Sequence, residues 1–126
     1  MKLIDPGIGD ILDRLTILSL KITVGREQGK DVTHFEREQT ALFAKIRSRD
    51  HSGPWFALTL ELATINALLW HAEDDLRALR EQTLGTDSVA AAAVLGFRIQ
   101  ALNDQRADRI AKINKEAGDQ TGPEKV

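Results

Sequence analysis

Four polar side chains of different chemistry recur at helical spacing along one long apolar segment of the chain. They are Asn66, Trp70, Glu73 and Arg77. Because steps of four and three residues return to one side of a helix, these groups would share a face, named here the polar stripe. An amide and a guanidinium bind anionic oxygens, and an indole ring stacks on a flat ligand. The polar stripe is therefore a candidate binding surface.

Arg106 stands where the apolar pattern of the last helical segment favours a leucine. That pattern comprises Leu95, Ile99, Leu102, Ile110 and Ile113. An unpaired guanidinium in a core costs several kcal/mol, so Arg106 must pair with a carboxylate, leave the core or meet a ligand. Glu73 is its leading predicted partner, with Asp10 and Asp13 as the others. The structural alternative is an ion pair that merely fixes how the helices pack.

Further cations and amides fall at positions that extend this candidate site. The predicted ligand-binding residues are Arg14, Lys21, Asn66, Trp70, Glu73, Arg77, Asn103, Arg106 and Asn114. The cations would meet anionic oxygens, Trp70 would stack on a base or sugar, and the amides would orient the ligand. The leading hypothesis is a protein that binds a small anionic molecule, such as a nucleotide or a phosphorylated sugar, without a cofactor.

Two alternatives come from other functional classes. Asp10, Asp13, Glu73 and Asp74 could supply hard oxygen ligands for Mg²⁺, as in a nucleotide phosphohydrolase. The paired E-x-x-E signature of the all-α nucleoside-triphosphate pyrophosphohydrolases is absent from the sequence. The other alternative is an oligomeric interaction module in which the polar stripe forms the subunit contact. The sequence leaves open whether any reaction is catalysed.

Composition sets the broad class of protein. The chain has 126 residues, of which 42% are hydrophobic and 29% charged, with no cysteine. We predict one domain over 1–117 and a flexible tail over 118–126. The net charge of -2 argues against a dedicated nucleic-acid binder. No apolar run approaches the ~18 residues of a membrane span, so a cytoplasmic protein without membrane contact is expected.

The elements that position these residues are four helices. Apolar periodicity predicts helices over about 10–24, 33–49, 58–81 and 89–116, with Pro54 well placed to begin the third. Thr33 and Glu36 have the spacing of a capping box at the start of the second helix. The first helix carries a second apolar line at Ile17, Leu20 and Val24, which favours a central position or a subunit contact.

Short connections between these helices favour an all-α, up-down antiparallel four-helix bundle with two shorter and two longer helices. The longer pair should project beyond the shorter pair. Because that projecting surface is a natural contact between subunits, we expect a homo-oligomer.

Three segments together carry a family resemblance. They are IGDILDRLTILSLK at 8–21, NALLWHAEDDLR at 66–77 and NDQRA at 103–107. They resemble an uncharacterised domain-of-unknown-function family of small helical proteins from bacteria and bacteriophages, over most of the chain. The family pattern has an aromatic residue shortly before the NDQRA segment, where this sequence has none between Ile99 and Leu102. The resemblance implies an all-helical fold in which the polar residues of these segments act together, and it assigns no activity.

Overall fold

The structure, a computed structural model, describes residues 6–47, 54–82 and 85–118. It contains α1 (Ile8–Glu27), α2 (Thr33–Ile46), α3 (Pro54–Arg80) and α4 (Thr86–Ala117). The helices have 20, 14, 27 and 32 residues, so the predicted two shorter and two longer helices are confirmed. No strand occurs in these ranges, and the all-helical fold class is confirmed. The predicted tail beyond Gly118 and the predicted end of the second helix, at 48–49, lie outside the described residues.

α1 is the central helix of the fold. It packs against each of the other three helices, whereas α2 packs against α1 alone among the described helices. Buried side chains from all four helices form the first core cluster. They are Ile8, Ile11, Leu12, Leu15, Ile46, Trp55, Leu62 and Ile113. Burial of these side chains removes their apolar surface from water. This is the main source of folding stability, at about 25 cal/mol per Å² of apolar surface buried.

A second core cluster lies between α3 and α4. Its buried members are Ile65, Leu69, Ala72 and Leu102, and Leu95 and Ile99 pack against it. On α3, Leu62, Ile65, Leu69 and Ala72 recur at the steps of four and three that predict an amphipathic helix, and they are buried. On α4, Leu95, Ile99 and Leu102 belong to the apolar pattern that includes the position of Arg106, and they lie in or against this cluster. Since this cluster draws on α3 and α4 only, this part of the long pair is held together by its own residues.

The helix ends show where local sequence was informative. Pro54 begins α3 as predicted, because proline suits the first turn of a helix. Gly118 ends α4 with a φ of 78°, which glycine adopts without strain. The predicted capping box is wrong. Asp31 Oδ1 accepts hydrogen bonds from Thr33 N (2.9 Å) and Thr33 Oγ1 (2.6 Å), so the threonine hydroxyl does not cap the helix.

α1 begins at Ile8, two residues before the predicted start. The reason is a contact with α4, in which the Gly9 N–H donates a hydrogen bond of 2.6 Å to Asn114 Oδ1. A Cβ atom at Gly9 would stand only 2.5 Å from the backbone oxygen of Ile110. Glycine is therefore required by the close approach of α1 to α4.

None of the helices in the described ranges combines the length and apolar character of a bilayer span.

Candidate functional site

A cavity of about 690 Å³ opens between α1 and α3, with α4 contributing at its base. We name it the α1–α3 cavity. Its lining residues are Ile17, Leu20, Lys21, Val24, Gln28, Lys30, Asn66, Leu69, Trp70, Glu73, Asp74, Arg77 and Arg106. The complete polar stripe is among them, together with Lys21 and Arg106. The structure therefore brings six of the nine predicted ligand-binding residues to one cavity.

Arg106 is held at the base of the cavity by Asp13. Its Nε donates to Asp13 Oδ1 at 2.9 Å and its Nη2 to Asp13 Oδ2 at 2.6 Å. Hydrogen bonding to Asp13 raises the pKa of the guanidinium, against the lowering effect of burial. The leading prediction of Glu73 as partner is thus corrected. Glu73 acts on Arg106 only through longer-range attraction.

Asn66 completes this network from α3. The side chain is buried, and its Nδ2 donates to Asp13 Oδ1 and to Thr16 Oγ1, both at 2.8 Å. Thr16 Oγ1 in turn donates to the backbone oxygen of Asp13 at 2.8 Å. Asp13 is only 7% exposed, and its carboxylate is satisfied by donors from two other helices. A guanidinium fixed in this way points its remaining N–H groups in a set direction.

One part of the cavity wall is apolar. Trp70 is half-buried on α3, and its indole N–H donates to no described residue. No buried side-chain nitrogen or oxygen in the described ranges lacks a partner, so this N–H is open to the cavity or to solvent. The opposite wall is the second apolar line of α1, formed by Ile17, Leu20 and Val24. Trp70 thus contributes an indole ring to the cavity lining, a group on which flat ligands stack.

Charged side chains surround the cavity with an excess of cations. Four lining residues are cationic, namely Lys21, Lys30, Arg77 and Arg106, against the carboxylates Glu73 and Asp74. Lys21 Nζ lies 5.2 Å from the centre of the Phe35 ring, a cation–π contact, and its charge contributes to the lowered pKa of the Glu38 carboxyl. Arg77 Nη1 donates to Asp74 Oδ1 at 2.7 Å at the exposed edge. Among the described residues Glu73 has no ion-pair partner.

Three predicted ligand-binding residues lie elsewhere. Arg14 forms a bidentate pair with Glu38 of α2, at 2.6 and 2.8 Å. Asn103 is exposed on α4, outside the cavity. Asn114 is fully buried beside Gly9, and its Nδ2 donates to Asp10 Oδ2 at 3.3 Å. Arg14 and Asn114 therefore join helices in this structure.

The carboxylates of the magnesium alternative are not assembled into one group. Asp13 binds Arg106 and Asn66, and Asp74 binds Arg77. Asp10 lies beside Asn114, away from the cavity that Glu73 lines. Within 6–47, 54–82 and 85–118, no three histidine, aspartate or glutamate side chains are grouped as a metal would require.

Two parts of the site were missed from the sequence. Thr16 lies one turn after Asp13 on α1, a spacing that could have marked it as a partner of that carboxylate. Gln28 and Lys30 line the cavity from the connection after α1, where no helical pattern indicates a direction.

The segments that carry the family resemblance meet at this site, since Lys21, the polar stripe and Arg106 come from all three. The resemblance to the domain-of-unknown-function family stays a prediction. No protein-family model, no curated protein and no solved structure matches the chain.

Proposed function

We propose that this chain binds a small anionic molecule, a nucleotide or a phosphorylated sugar, in the α1–α3 cavity. The observation that carries the proposal is the Arg106 guanidinium, fixed by Asp13 at the base of a cavity lined by further cations. Preorganised donors lose little conformational entropy when a ligand binds. The volume of about 690 Å³ lies within the range of small-molecule sites.

The charge distribution supports an anionic ligand. Asp13 neutralises much of the charge of Arg106 but engages only its Nε and Nη2 atoms. Neither Lys21 nor Lys30 forms an ion pair with a described residue, and Lys21 would leave its position over the Phe35 ring to reach an anion in the cavity. A phosphate or carboxylate between Arg106 and Lys21 would gain charge-assisted hydrogen bonds.

The walls support a ligand that also carries a flat or apolar part. Trp70 offers one ring face, while Ile17 and Leu20 stand across from α3 on α1. Stacking of a base on an aromatic ring contributes ~1–3 kcal/mol. Asn66 Nδ2 is fully engaged, but its carboxamide oxygen accepts no hydrogen bond from a described residue. That oxygen is suited to a ligand N–H or O–H group.

We further propose the up-down arrangement of the four helices, and contacts between them support it. Between α1 and α2, Arg14 pairs with Glu38 while Gly25 lies against Val32. Between α3 and α4, Glu61 pairs with Arg109, whereas Ile65 and Leu69, later in α3, share a core cluster with Leu102, earlier in α4. In each pair of helices, residues later in one helix contact residues earlier in the other, as in antiparallel neighbours.

The cytoplasmic location stays a prediction.

Thermal melting in the presence of single compounds tests the binding proposal. The compounds are a nucleoside 5′-monophosphate, a sugar phosphate and inorganic phosphate, each with and without Mg²⁺. We expect at least one organic phosphate to raise the melting temperature without Mg²⁺, because a ligand that binds only the folded chain stabilises it. Stabilisation that requires Mg²⁺ and is accompanied by release of phosphate would favour the phosphohydrolase alternative instead.

Matched arginine variants locate the effect. Arg106→Gln removes the guanidinium that lines the cavity. Arg109→Gln removes another guanidinium of α4, one that pairs with Glu61 outside the cavity. We expect the ligand-induced shift to disappear in the first variant and to persist in the second. Equal shifts in both variants would contradict the proposed site.

A further inference from the structure

The first half of α4 exposes an uncharged surface that the described structure leaves uncovered. No charged residue occurs between Asp87 and Arg98. Val94 and Phe97 are 67% and 73% exposed. A helix that is apolar on its outer side is normally covered by another element. The core cluster along this part of α4, against which Leu95 and Ile99 pack, contains residues of α3 and α4 and none of α1 or α2.

Charges of opposite sign bracket this surface on one face of α4. Asp87, Ala91, Val94 and Arg98 follow one another at steps of four, three and four residues, and all four are exposed. We name this set the α4 stripe. Its spacing is that of the contact positions in a coiled coil. Neither Asp87 nor Arg98 forms an ion pair with a described residue.

From this pattern we infer that a second copy of the chain docks on the α4 stripe, with the two α4 helices antiparallel about a two-fold axis between positions 92 and 93. In this pairing Asp87 meets the partner's Arg98 and, by symmetry, Arg98 meets the partner's Asp87. Val94 packs over the partner's Ala91, so a larger side chain fills the space above a smaller one. Phe97 lies beside this contact and extends its apolar area.

The distribution of charge selects a second copy as the occupant. A surface that carries an acid at one end and a base at the other is complementary to itself when turned through two-fold symmetry. A parallel pairing would instead place each Asp87 beside the partner's Asp87, which is unfavourable. No residue of the α4 stripe lines the α1–α3 cavity, so this inference stands independently of the proposed ligand.

Charge reversal tests both the surface and its direction. Sedimentation equilibrium should show a dimer of the unmodified chain that dissociates on dilution. Asp87→Arg and Arg98→Asp should each raise the dimer dissociation constant by about tenfold, since two ion pairs become like-charge contacts. The double variant Asp87→Arg with Arg98→Asp should restore the original constant, because the pairs reform with their signs exchanged.

An apolar variant with a matched control completes the test. Val94→Glu should abolish the dimer without lowering the helical circular dichroism signal. Val89→Glu changes another exposed valine of α4, which lies about 140° around the helix from Val94, and should leave the dimer in place. A chain that stays monomeric at millimolar concentration would overturn the inference. So would a dimer that is indifferent to Val94→Glu, or single reversals that the double variant does not rescue.

Discussion

Arg106 of α4 and Asp13 of α1, 93 positions apart in the chain, are joined by two hydrogen bonds of 2.9 and 2.6 Å. This pair links the first helix to the last and at the same time holds a guanidinium toward the α1–α3 cavity. One ion pair thus serves the packing of the helices and the proposed binding of an anion. Measurements of folding stability and of ligand affinity distinguish these two roles.

We expect Arg106→Leu to fold and to lose ligand binding. The Asp13 carboxylate would keep Asn66 as a donor but lose both bonds to the guanidinium. Because the Arg106 side chain is 34% exposed, the loss of stability should be about 1–3 kcal/mol, below that for a fully buried pair. Urea unfolding measures this change. The double variant Asp13→Asn with Arg106→Leu should regain part of the loss, since no buried charge then remains; a further loss would contradict this account.

The two tryptophans should respond differently to truncation. Trp55 belongs to the first core cluster and is 7% exposed, so Trp55→Ala should destabilise the chain by ~3–5 kcal/mol. Trp70 is half-buried at the cavity, and Trp70→Ala should cost clearly less stability while weakening a base-containing ligand by ~1–3 kcal/mol. Trp70→Phe should restore much of the affinity. If Trp70→Ala is as damaging to the melting temperature as Trp55→Ala, Trp70 is core packing.

Two glycines in helices should behave in opposite ways when replaced by alanine. At Gly9 the new Cβ would press on the backbone oxygen of Ile110, so Gly9→Ala should destabilise the chain by ~2 kcal/mol or more. At Gly96 nothing lies within 4 Å of the new atom. Gly96→Ala should therefore stabilise the chain by ~0.5–1 kcal/mol through helix propensity. Thermal melts of both variants check the signs, and a stabilising Gly9→Ala would refute the close approach of α1 to α4.

Much of the helical architecture was predictable because it depends on local periodicity. The stripes through Leu62 and Leu69 on α3 and through Leu102 on α4 identify buried faces without knowledge of any partner helix. The partner of Arg106 was not predictable in this way. A helical pattern shows which side of α1 carries Asp13. Only the packing of α1 against α4 shows that Asp13, and not Glu73, is the carboxylate that binds Arg106.

The same distinction explains the other differences. Arg14, Lys21 and Asn114 were all assigned to ligand binding by residue type, yet only Lys21 lines the cavity. Asn114 binds the first turn of α1, a long-range contact that no spacing rule in the sequence indicates. The predicted capping box failed because Asp31, two positions earlier, accepts the hydrogen bonds of Thr33.

The Arg14–Glu38 pair should make stability depend on pH in a defined range. Hydrogen bonding to Arg14 lowers the pKa of the Glu38 carboxyl below its ordinary value. A carboxyl whose pKa is lower in the folded state stabilises the chain above its unfolded pKa of about 4.3, and that contribution is lost as the pH falls through the folded pKa. At neutral pH, Glu38→Gln should cost about 0.5 kcal/mol, as for other exposed pairs.

Urea unfolding of both chains between pH 7 and pH 2 checks this expectation. The curves of stability against pH should differ at neutral pH and converge at the acid end, where Glu38 is protonated. Parallel curves over the whole range would show that the pair does not stabilise the fold. Glu36→Gln is the control, because Glu36 pairs with a different arginine, Arg26, at the exposed end of α1.

The most direct test of the proposed site is a tryptophan fluorescence titration with a nucleoside 5′-monophosphate. The chain contains only Trp55 and Trp70, and of these only Trp70 lines the α1–α3 cavity. We predict saturable quenching in the unmodified chain and in Arg109→Gln, a dissociation constant raised about tenfold or more in Arg106→Gln, and no quenching in Trp70→Phe. Saturable quenching that persists unchanged in Trp70→Phe, or equal dissociation constants for Arg106→Gln and Arg109→Gln, would contradict a ligand site in this cavity.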